Sequence, residues 1–179
     1  SSGQRTNPWF QECGPRIINN NEILAFDTDL IGCYGMCVDI SRTWFIGDKK
    51  NITPVQKELY TEAYNQIKEN TSIIEPGMKM KDLVFGGRLL PKKYKKLRYS
   101  CKMHGVGLCD EWPLIEYPED YVEGAFESTL VPGMVLCVEA YVGEVGGAEG
   151  IKLEDQVLVT NSGHENLTNY PFEKDLIIN

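Results

Sequence analysis

Apolar and polar positions alternate in blocks that predict a β-hairpin near the start of the chain. Residues 23–26 form a short apolar run that leads directly into Asp27-Thr28-Asp29. Gly32 and Gly35 then mark a turn, after which residues 37–46 resume an extended pattern. Two such segments separated by glycines are typical of paired antiparallel strands. We therefore expect a hairpin that carries acidic residues on both arms.

A helix is predicted immediately after the hairpin. Thr53-Pro54, with Gln56 three positions after the threonine, matches a helix start in which threonine is the N-cap and proline the first helical residue. The apolar side chains that then recur every four residues are Val55, Leu59, Ala63 and Ile67. This period indicates one apolar stripe on a helix that runs to about residue 70.

The remaining pattern predicts one more helix and two strands. The helix is expected over residues 81–90, ending at Pro91, and residues 131–133 are expected to turn. Residues 134–142 and 156–160 have strongly β-like composition. The order of hairpin, helix, helix and strands favours an α+β fold over a repeating βα fold. At 179 residues, the chain is expected to form a single domain over 1–179.

Composition narrows the partners that we expect. The chain is 42% hydrophobic and 25% charged, and no run of 18 or more apolar residues occurs, so no membrane partner is predicted. A net charge of -8 disfavours binding to nucleic acid, which requires a basic face. One basic cluster does exist, and we interpret it as a solvated surface. It consists of Lys92, Lys93, Lys95, Lys96 and Arg98.

The cysteines predict a reducing environment. None of the six belongs to a CxxC pair, and their neighbours are mostly apolar or glycine, as is typical of buried free thiols. The opening residues also lack the apolar core of a signal peptide. We therefore expect a cytoplasmic location.

Four separated segments carry acidic residues or a histidine that are suited to binding metal. Their candidate ligands are Asp27, Asp29, Asp39, His104, Glu139 and Glu154. Taken singly, each has an ordinary explanation: a solvated turn, a structural hydrogen bond, or a salt bridge such as that of Glu154 with Lys152. Glu139 is less ordinary, because a carboxylate in so apolar a strand requires a partner, a proton or a metal. Together they form an oxygen-rich set with one imidazole, which suits two divalent ions of the Mg²⁺, Mn²⁺, Fe²⁺, Co²⁺ or Zn²⁺ type.

These segments also resemble the motifs of the pita-bread metallopeptidase and creatinase family, in the same order. The matching stretches are Asp39-Ile40-Ser41-Arg42-Thr43, His104-Gly105-Val106-Gly107, Pro132-Gly133-Met134 before Glu139, and Leu153-Glu154-Asp155. The resemblance implies the pita-bread (creatinase/aminopeptidase) α+β fold, a homodimer and a dinuclear metal site. It also implies that the chain is a C-terminal part of the catalytic domain, without the N-terminal domain and the first helices.

Two departures from the family's peptidases point to another reaction. The peptidases carry a second histidine seven residues after the metal-binding one, whereas position 111 here is Glu111. They also tend to have one aspartate where this chain has Asp27 and Asp29. Both changes are similar to the branch of DddP-type dimethylsulfoniopropionate lyases. That resemblance implies six metal ligands with iron favoured (manganese, cobalt or zinc remaining possible), Asp110 as general base, and Tyr99 in the substrate pocket.

The implied reaction is a β-elimination that yields dimethyl sulfide and acrylate from a small sulfonium carboxylate. Aromatic faces hold such a cation, and Tyr99, Trp112 and Trp9 are the candidates, with ordinary core packing as the alternative. For Asp110 the alternative is a role in orienting His104. For the whole protein, the alternatives are an Xaa-Pro dipeptidase or aminopeptidase, and a binding module without turnover.

Overall fold

The computed structural model describes residues 1–10, 12–124 and 126–178. Within these residues the fold combines a two-stranded hairpin, two α-helices and a five-stranded antiparallel sheet of order β4-β3-β5-β6-β7. In chain order, the elements are β1 (Glu22–Ile31), β2 (Cys37–Ile46), α1 (Pro54–Ser72), α2 (Met80–Phe85), β3 (Met103–Gly105), β4 (Leu114–Ile115), β5 (Val135–Gly143), β6 (Gly150–Thr160) and β7 (Gly163–Asn166). The α+β class predicted from the sequence is confirmed.

The predicted hairpin is present and docks on the larger sheet. β1 and β2 pair from Glu22 opposite Ile46 to Ile31 opposite Cys37, and residues 32–36 form the turn. The docking depends on Thr43, whose hydroxyl donates to the Lys152 carbonyl at 2.6 Å and accepts from the Lys152 amide at 3.3 Å. The backbone amide and carbonyl of the buried Lys152 on β6 thereby find hydrogen-bond partners on the hairpin.

Helix α1 begins as predicted. The Thr53 hydroxyl accepts from the Gln56 amide at 3.2 Å, and the Gln56 side-chain oxygen accepts from the Thr53 amide at 2.9 Å. The apolar stripe is buried at Leu59, Ala63 and Ile67. The prediction was wrong for Val55, which is 61% exposed.

Helix α2 is shorter than the predicted 81–90. It ends at Phe85, and the next residue, Gly86, donates its amide to the Asp82 carbonyl at 2.8 Å. The buried Lys102 ammonium then binds the carbonyls of Leu83, Val84 and Gly86 at 2.7–3.2 Å. These carbonyls belong to the last turn of the helix, where no later amide is available. A lysine distant in sequence therefore binds carbonyls at the end of this helix.

The strand prediction was accurate for β5 but too short for β6. β5 starts one residue later than predicted, whereas β6 begins at Gly150, six residues before the predicted start. The missed part contains Lys152, Glu154 and Asp155, all of which are buried. These charged residues interrupt the apolar pattern that predicts a strand. Because burying a charge is costly without a partner, this segment can form a buried strand only where other elements supply partners for its charges. The short strands β3, β4 and β7 were not predicted.

The cysteine expectation holds only in part. All six cysteines are free, but Cys13, Cys33 and Cys109 are exposed, which corrects the prediction that they are buried. Cys101 and Cys137 are fully enclosed in the sheet region.

The basic cluster lies on the surface, where several members pair with acidic residues. Lys93 pairs with Glu58, and Lys95 pairs with Glu119. Among the described residues, no helix has the length and apolarity needed to cross a bilayer.

Candidate metal centre

The hairpin brings three aspartates together on one face. Asp27 and Asp29 are two positions apart on β1, and Asp29 lies directly opposite Asp39 on β2. Residues two apart on a strand and residues opposite each other share a face. A carboxylate oxygen from each of the three lies within 4.8 Å of the other two. The juxtaposition expected from the hairpin register is therefore present.

The larger sheet supplies the other predicted ligands from one face. Glu139 on β5 lies opposite Glu154 on β6, and His104 on β3 lies opposite Cys137 on β5. The His104 Nε2 atom is 3.2 Å from Glu154 Oε1, 3.5 Å from Asp39 Oδ2 and 3.8 Å from Glu139 Oε1. The structure thus places all six candidate ligands around one centre, where the hairpin covers the sheet.

Two groups of potential ligands share one residue. Asp39 belongs both to the group with Asp27 and Asp29 and to a group with His104, Cys137 and Glu154, whose ligand atoms also lie within 4.8 Å of one another. A carboxylate has two oxygens, so a shared aspartate can bridge two cations. The arrangement therefore has the geometry required for a dinuclear site.

Lys152 lies at the centre of the cluster. From the sequence, it was considered only as a possible salt-bridge partner of Glu154. Its ammonium is buried and lies 2.7 Å from Glu139 Oε2, 3.1 Å from Asp27 Oδ2 and 3.5 Å from Glu154 Oε2. Burial alone lowers the pKa of Lys152, but the Glu139, Glu154 and Asp27 charges outweigh burial and raise it. The sequence did contain a signal for this position. Lys152 is two residues before Glu154, which places both side chains on the same face of β6.

Three carboxylates of the cluster have pKa values outside their ordinary range: Asp39, Glu139 and Glu154. Burial, followed by the Glu154 and Asp27 charges, raises the pKa of Asp39 to about 10. Burial also raises the pKa of Glu139 to about 7, although Lys152 opposes this shift. For Glu154, burial is outweighed by Lys152 and by the hydrogen bond from His104, and the pKa falls to about 2. One ammonium is therefore insufficient to keep all of these groups ionised.

The donor set fits a metal ion. Asp39 is 2% exposed, and its Oδ1 atom is buried without a hydrogen-bond partner among the described residues. A buried carboxylate oxygen without a partner is costly, and a cation would satisfy it. Burial lowers the pKa of His104, but the Glu154 hydrogen bond and the Glu139 charge raise it to about 9, which reflects the same excess of negative charge. Oxygen ligands with one imidazole are suited to divalent first-row metals.

Asp110 lies beside the centre but does not hold His104. Its Oδ1 atom is 3.9 Å from His104 Nδ1, beyond hydrogen-bond range, whereas the Gly105 carbonyl lies 3.2 Å from that nitrogen. The Asp110 side chain is 22% exposed, and its charge contributes to raising the pKa of Asp29. The alternative in which Asp110 orients the imidazole therefore has no direct contact to support it.

The remaining histidine does not join the cluster. His164 lies on β7, where its Nδ1 is 3.0 Å from the Ile74 carbonyl. Position 111, where the peptidases have their second histidine, is occupied by the exposed Glu111. Among the described residues, the centre contains one imidazole.

The three predicted aromatic residues do not converge on one place. Tyr99 and Trp9 line the same cleft, together with Tyr141, whose ring centroid is 6.3 Å from that of Trp9. The Lys152 ammonium lies 4.6 Å from the Tyr99 ring centroid, which connects this cleft to the centre. Trp112 is 55% exposed and packs instead against Phe126, with ring centroids 5.6 Å apart. The structure brings Tyr99 and Trp9 together and leaves Trp112 in a different groove.

A cysteine also contacts the centre. The Cys101 thiol donates to Glu139 Oε1 at 2.8 Å, on the carboxylate whose other oxygen binds Lys152. This contact was not predicted, because the sequence contains no signal that distinguishes such a cysteine from a packing residue.

Comparison with known proteins agrees with this geometry. The model of metallopeptidase family M24 matches residues 1–161. The chain is 55% identical over 179 residues to a protein of Roseovarius nubinhibens named "Dimethylsulfoniopropionate lyase DddP", and 52% identical to a protein of that name from Roseobacter denitrificans. Each alignment covers 99% of this chain but only 40% and 39% of the relatives. A "Putative dipeptidase YkvY" of Bacillus subtilis is 32% identical, with 92% of this chain and 42% of that protein covered.

Two solved structures of prolidases have the same fold. The prolidase from Pyrococcus furiosus superposes with a TM-score of 0.76 at 25% identity, covering 96% of this chain and 48% of that one. The prolidase from Pyrococcus horikoshii gives 0.77 at 24% identity, covering 97% of this chain and 47% of that one. The chain has the pita-bread fold predicted from its motifs, and it spans about 40% of the length of the curated relatives named above.

Proposed function

Because the chain belongs to metallopeptidase family M24, we propose that it forms the metal-binding part of a lyase that cleaves dimethylsulfoniopropionate into dimethyl sulfide and acrylate. The observation that carries this proposal is the 55% identity, over 99% of this chain, to a protein named for that activity. Identity to the relative named as a putative dipeptidase is 32%. Glu111 at the position of the peptidases' second histidine supports the same choice.

The proposed cofactor is a pair of divalent ions. They would be held by Asp27, Asp29, Asp39, His104, Glu139 and Glu154, with Asp39 between the two groups of ligands. Five carboxylates and the Lys152 ammonium leave a net charge of four negative units, which two divalent ions neutralise. We propose iron as the natural metal, with manganese, cobalt or zinc as alternatives that the same donors accept.

The proposed mechanism assigns a separate task to each side chain. Metal ions held by these ligands would supply Lewis acidity, which would polarise the substrate carboxylate and acidify the adjacent C–H. Asp110 takes that proton, the C–H electron pair forms the double bond of acrylate, and the C–S bond breaks to release dimethyl sulfide. Asp110 suits this task because its carboxylate is next to the centre, partly exposed and not bound to His104.

The sulfonium end of the substrate is proposed to lie in the cleft of Tyr99 and Trp9. A cation over an aromatic face gains about 0.5–2 kcal/mol, depending on how well it is desolvated. One side of the Tyr99 ring already faces the Lys152 ammonium at 4.6 Å. The sulfonium would therefore occupy the Trp9 side of the cleft, away from that like charge. Trp112 was also a candidate, and its separate groove makes it the weaker one.

Replacing Asp110 by asparagine tests the general base. Asparagine keeps the shape of the side chain but cannot accept the proton, so dimethyl sulfide production is expected to fall by about 10²–10⁴-fold. Headspace gas analysis measures the product, and elemental analysis checks that metal content is unchanged. Glu111→Gln is the matched control, because it removes the adjacent exposed carboxylate and should retain activity. Full activity in Asp110→Asn would rule out this base.

A second candidate is an Xaa-Pro dipeptidase or aminopeptidase, favoured by the family description and by the prolidase structures of the same fold. The discriminating experiment offers the metal-loaded protein dimethylsulfoniopropionate and an Xaa-Pro dipeptide in parallel. Dimethyl sulfide without dipeptide hydrolysis supports the lyase, and the reverse result supports the peptidase.

Three further points of the proposal concern the protein as a whole. We propose a homodimer, which light scattering on the purified protein tests, and a cytoplasmic location, which cell fractionation tests. We also propose that residues 1–179 form one domain, for which a single cooperative unfolding transition is the expected result.

A further inference from the structure

We propose that Asn7 is a positioning residue that fixes Trp9 in the cleft beside the metal centre and thereby sets the affinity for the sulfonium end of the substrate. The inference rests on the proposed function, which places that cation on the Trp9 side of the cleft. Asn7 does not itself line the cleft, so it acts on a bound ligand through Trp9. The sequence motifs did not single out this residue.

The Asn7 carboxamide connects the start of the chain to the turn between β5 and β6. Its Nδ2 atom donates to the carbonyls of Glu144 and Gly147, each at 2.8 Å. Its Oδ1 atom lies 2.9 Å from the hydroxyl of Tyr141, a β5 residue that is 1% exposed. A carboxamide has one NH₂ group with two protons and one acceptor oxygen. Both groups of the Asn7 side chain are therefore engaged by residues from the opposite part of the chain.

Two glycines leave the space that this segment occupies. Gly143 at the end of β5 lies opposite Gly150 at the start of β6. A Cβ atom on Gly143 would lie 2.5 Å from Asn7 Oδ1, and a Cβ atom on Gly150 would lie 2.6 Å from the Thr6 carbonyl oxygen. Neither glycine has a positive φ, so the backbone conformation does not require glycine at these positions. The lack of side chains at this pair is what admits Asn7.

Trp9 has little to hold it apart from this connection. Its indole N–H is buried and has no hydrogen-bond partner among the described residues. Its ring contacts Tyr141, with centroids 6.3 Å apart. The next residue, Phe10, is 48% exposed, and its carbonyl accepts a hydrogen bond from Ser1 within the same segment. Asn7, two residues before Trp9, is therefore the nearest described residue whose side chain is hydrogen-bonded to the β5–β6 turn.

The effect on binding follows from the position of the indole ring. A cation gains cation–π attraction only when it lies over the ring face, within about 6 Å of the centroid. Without the Asn7 carboxamide, the ring is no longer fixed over the cleft. The sulfonium then loses an attraction that corresponds to about 2- to 30-fold in affinity. Asp110 and the metal ligands lie outside this segment, so the rate of the chemical step should stay the same.

Calorimetric titration with dimethylsulfoniopropionate tests the inference on the metal-loaded full chain. The chain carries Asp110→Asn, so that the ligand is not consumed. Adding Asn7→Ala should weaken binding by about 2- to 30-fold, and so should adding Trp9→Ala. The two changes together should bind no more weakly than Trp9→Ala alone, because residues that act through one ring are not additive. With Asp110 restored, Asn7→Ala should raise KM and leave kcat unchanged.

Two further variants complete the design. Gly143→Ala displaces the Asn7 carboxamide and should weaken binding as Asn7→Ala does, so the test survives if Asn7→Ala fails to fold. Asn51→Ala is the matched control. Its amide donates to Asn21 at 2.9 Å on the surface, and its loss should leave binding unchanged.

The outcomes separate this inference from the proposed reaction. Binding by Asn7→Ala equal to that of its parent, or a loss of the same size with and without Trp9, would overturn the role of Asn7 and leave the lyase reaction intact. The expected pattern of affinities in a protein that releases no dimethyl sulfide would overturn the reaction and support the role of Asn7. Failure of every chain to bind dimethylsulfoniopropionate would overturn both.

Discussion

Replacing Lys152 by methionine removes the one buried ammonium of the acidic cluster while keeping a side chain of similar length. The ammonium is 2.7 Å from Glu139, 3.1 Å from Asp27 and 3.5 Å from Glu154. At 2.7 Å and an effective dielectric constant of about 20, attraction to Glu139 alone amounts to about 6 kcal/mol. Desolvation of the buried ammonium offsets part of this attraction. The expected net loss is about 3–5 kcal/mol, the usual cost of removing one partner from a buried pair.

The loss should depend on whether a divalent ion is bound. In chelator, the free energy of unfolding of Lys152→Met is expected to be lower than that of wild type by the full amount, because the protonated His104 is then left to offset the carboxylate charges without the ammonium. With saturating divalent ion, the difference should shrink, since the ions supply positive charge to the same oxygens. Equilibrium unfolding in urea, followed by circular dichroism, measures both differences.

Lys152→Arg is the control that retains the charge. It should lose less stability than Lys152→Met in chelator, although the larger guanidinium must fit a closed space. The reasoning is refuted if Lys152→Met loses less than about 1 kcal/mol in chelator, or if its loss is the same with and without the ion. The first result would mean that protons, and not Lys152, neutralise the carboxylates. The second would mean that the ion does not supply positive charge to the oxygens that Lys152 contacts.

Three other predictions concern the scaffold. Thr53→Ala removes the N-cap of α1 and should lower the free energy of unfolding by about 1 kcal/mol in urea denaturation. Ile67→Ala should lower it by about 2–5 kcal/mol, whereas Val55→Ala on the same helix should stay within about 0.5 kcal/mol, and equal effects would contradict the observed burial. The hydrogen bond from Arg16 lowers the pKa of Glu22, so this carboxylate stabilises the fold above the ordinary value of 4.5, and the stabilisation is lost as pH falls through the lower folded value. Wild type should therefore have a higher free energy of unfolding than Glu22→Gln near neutral pH, and the difference should disappear in acid.

The local sequence was sufficient to predict the elements that are determined by neighbouring residues. The hairpin followed from an apolar run, an acidic step and two turn glycines, and its register placed Asp29 opposite Asp39. The start of α1 followed from Thr53 and Gln56, which bind each other's backbone three residues apart. The burial of Glu139 followed from the apolar residues on either side of it.

The metal centre required several motifs to be considered together. No single motif distinguishes a ligand from a solvated aspartate or a structural histidine. Their common order along the chain identified the set, and the structure brings the six residues to one place through the pairing of β3, β5 and β6 and the docking of the hairpin. The candidate ligands could thus be named from the sequence, whereas the distances between them could not.

Only the tertiary structure decided the positions that depend on residues far apart in sequence. Lys102 binds carbonyls at the end of α2, and Lys152 pairs with carboxylates from both β1 and β5. A buried charge disrupts the apolar pattern that sequence reasoning relies on, and its cost is offset only by partners supplied by other strands. For this reason the first half of β6 could be recognised only once the sheet and the hairpin were assembled.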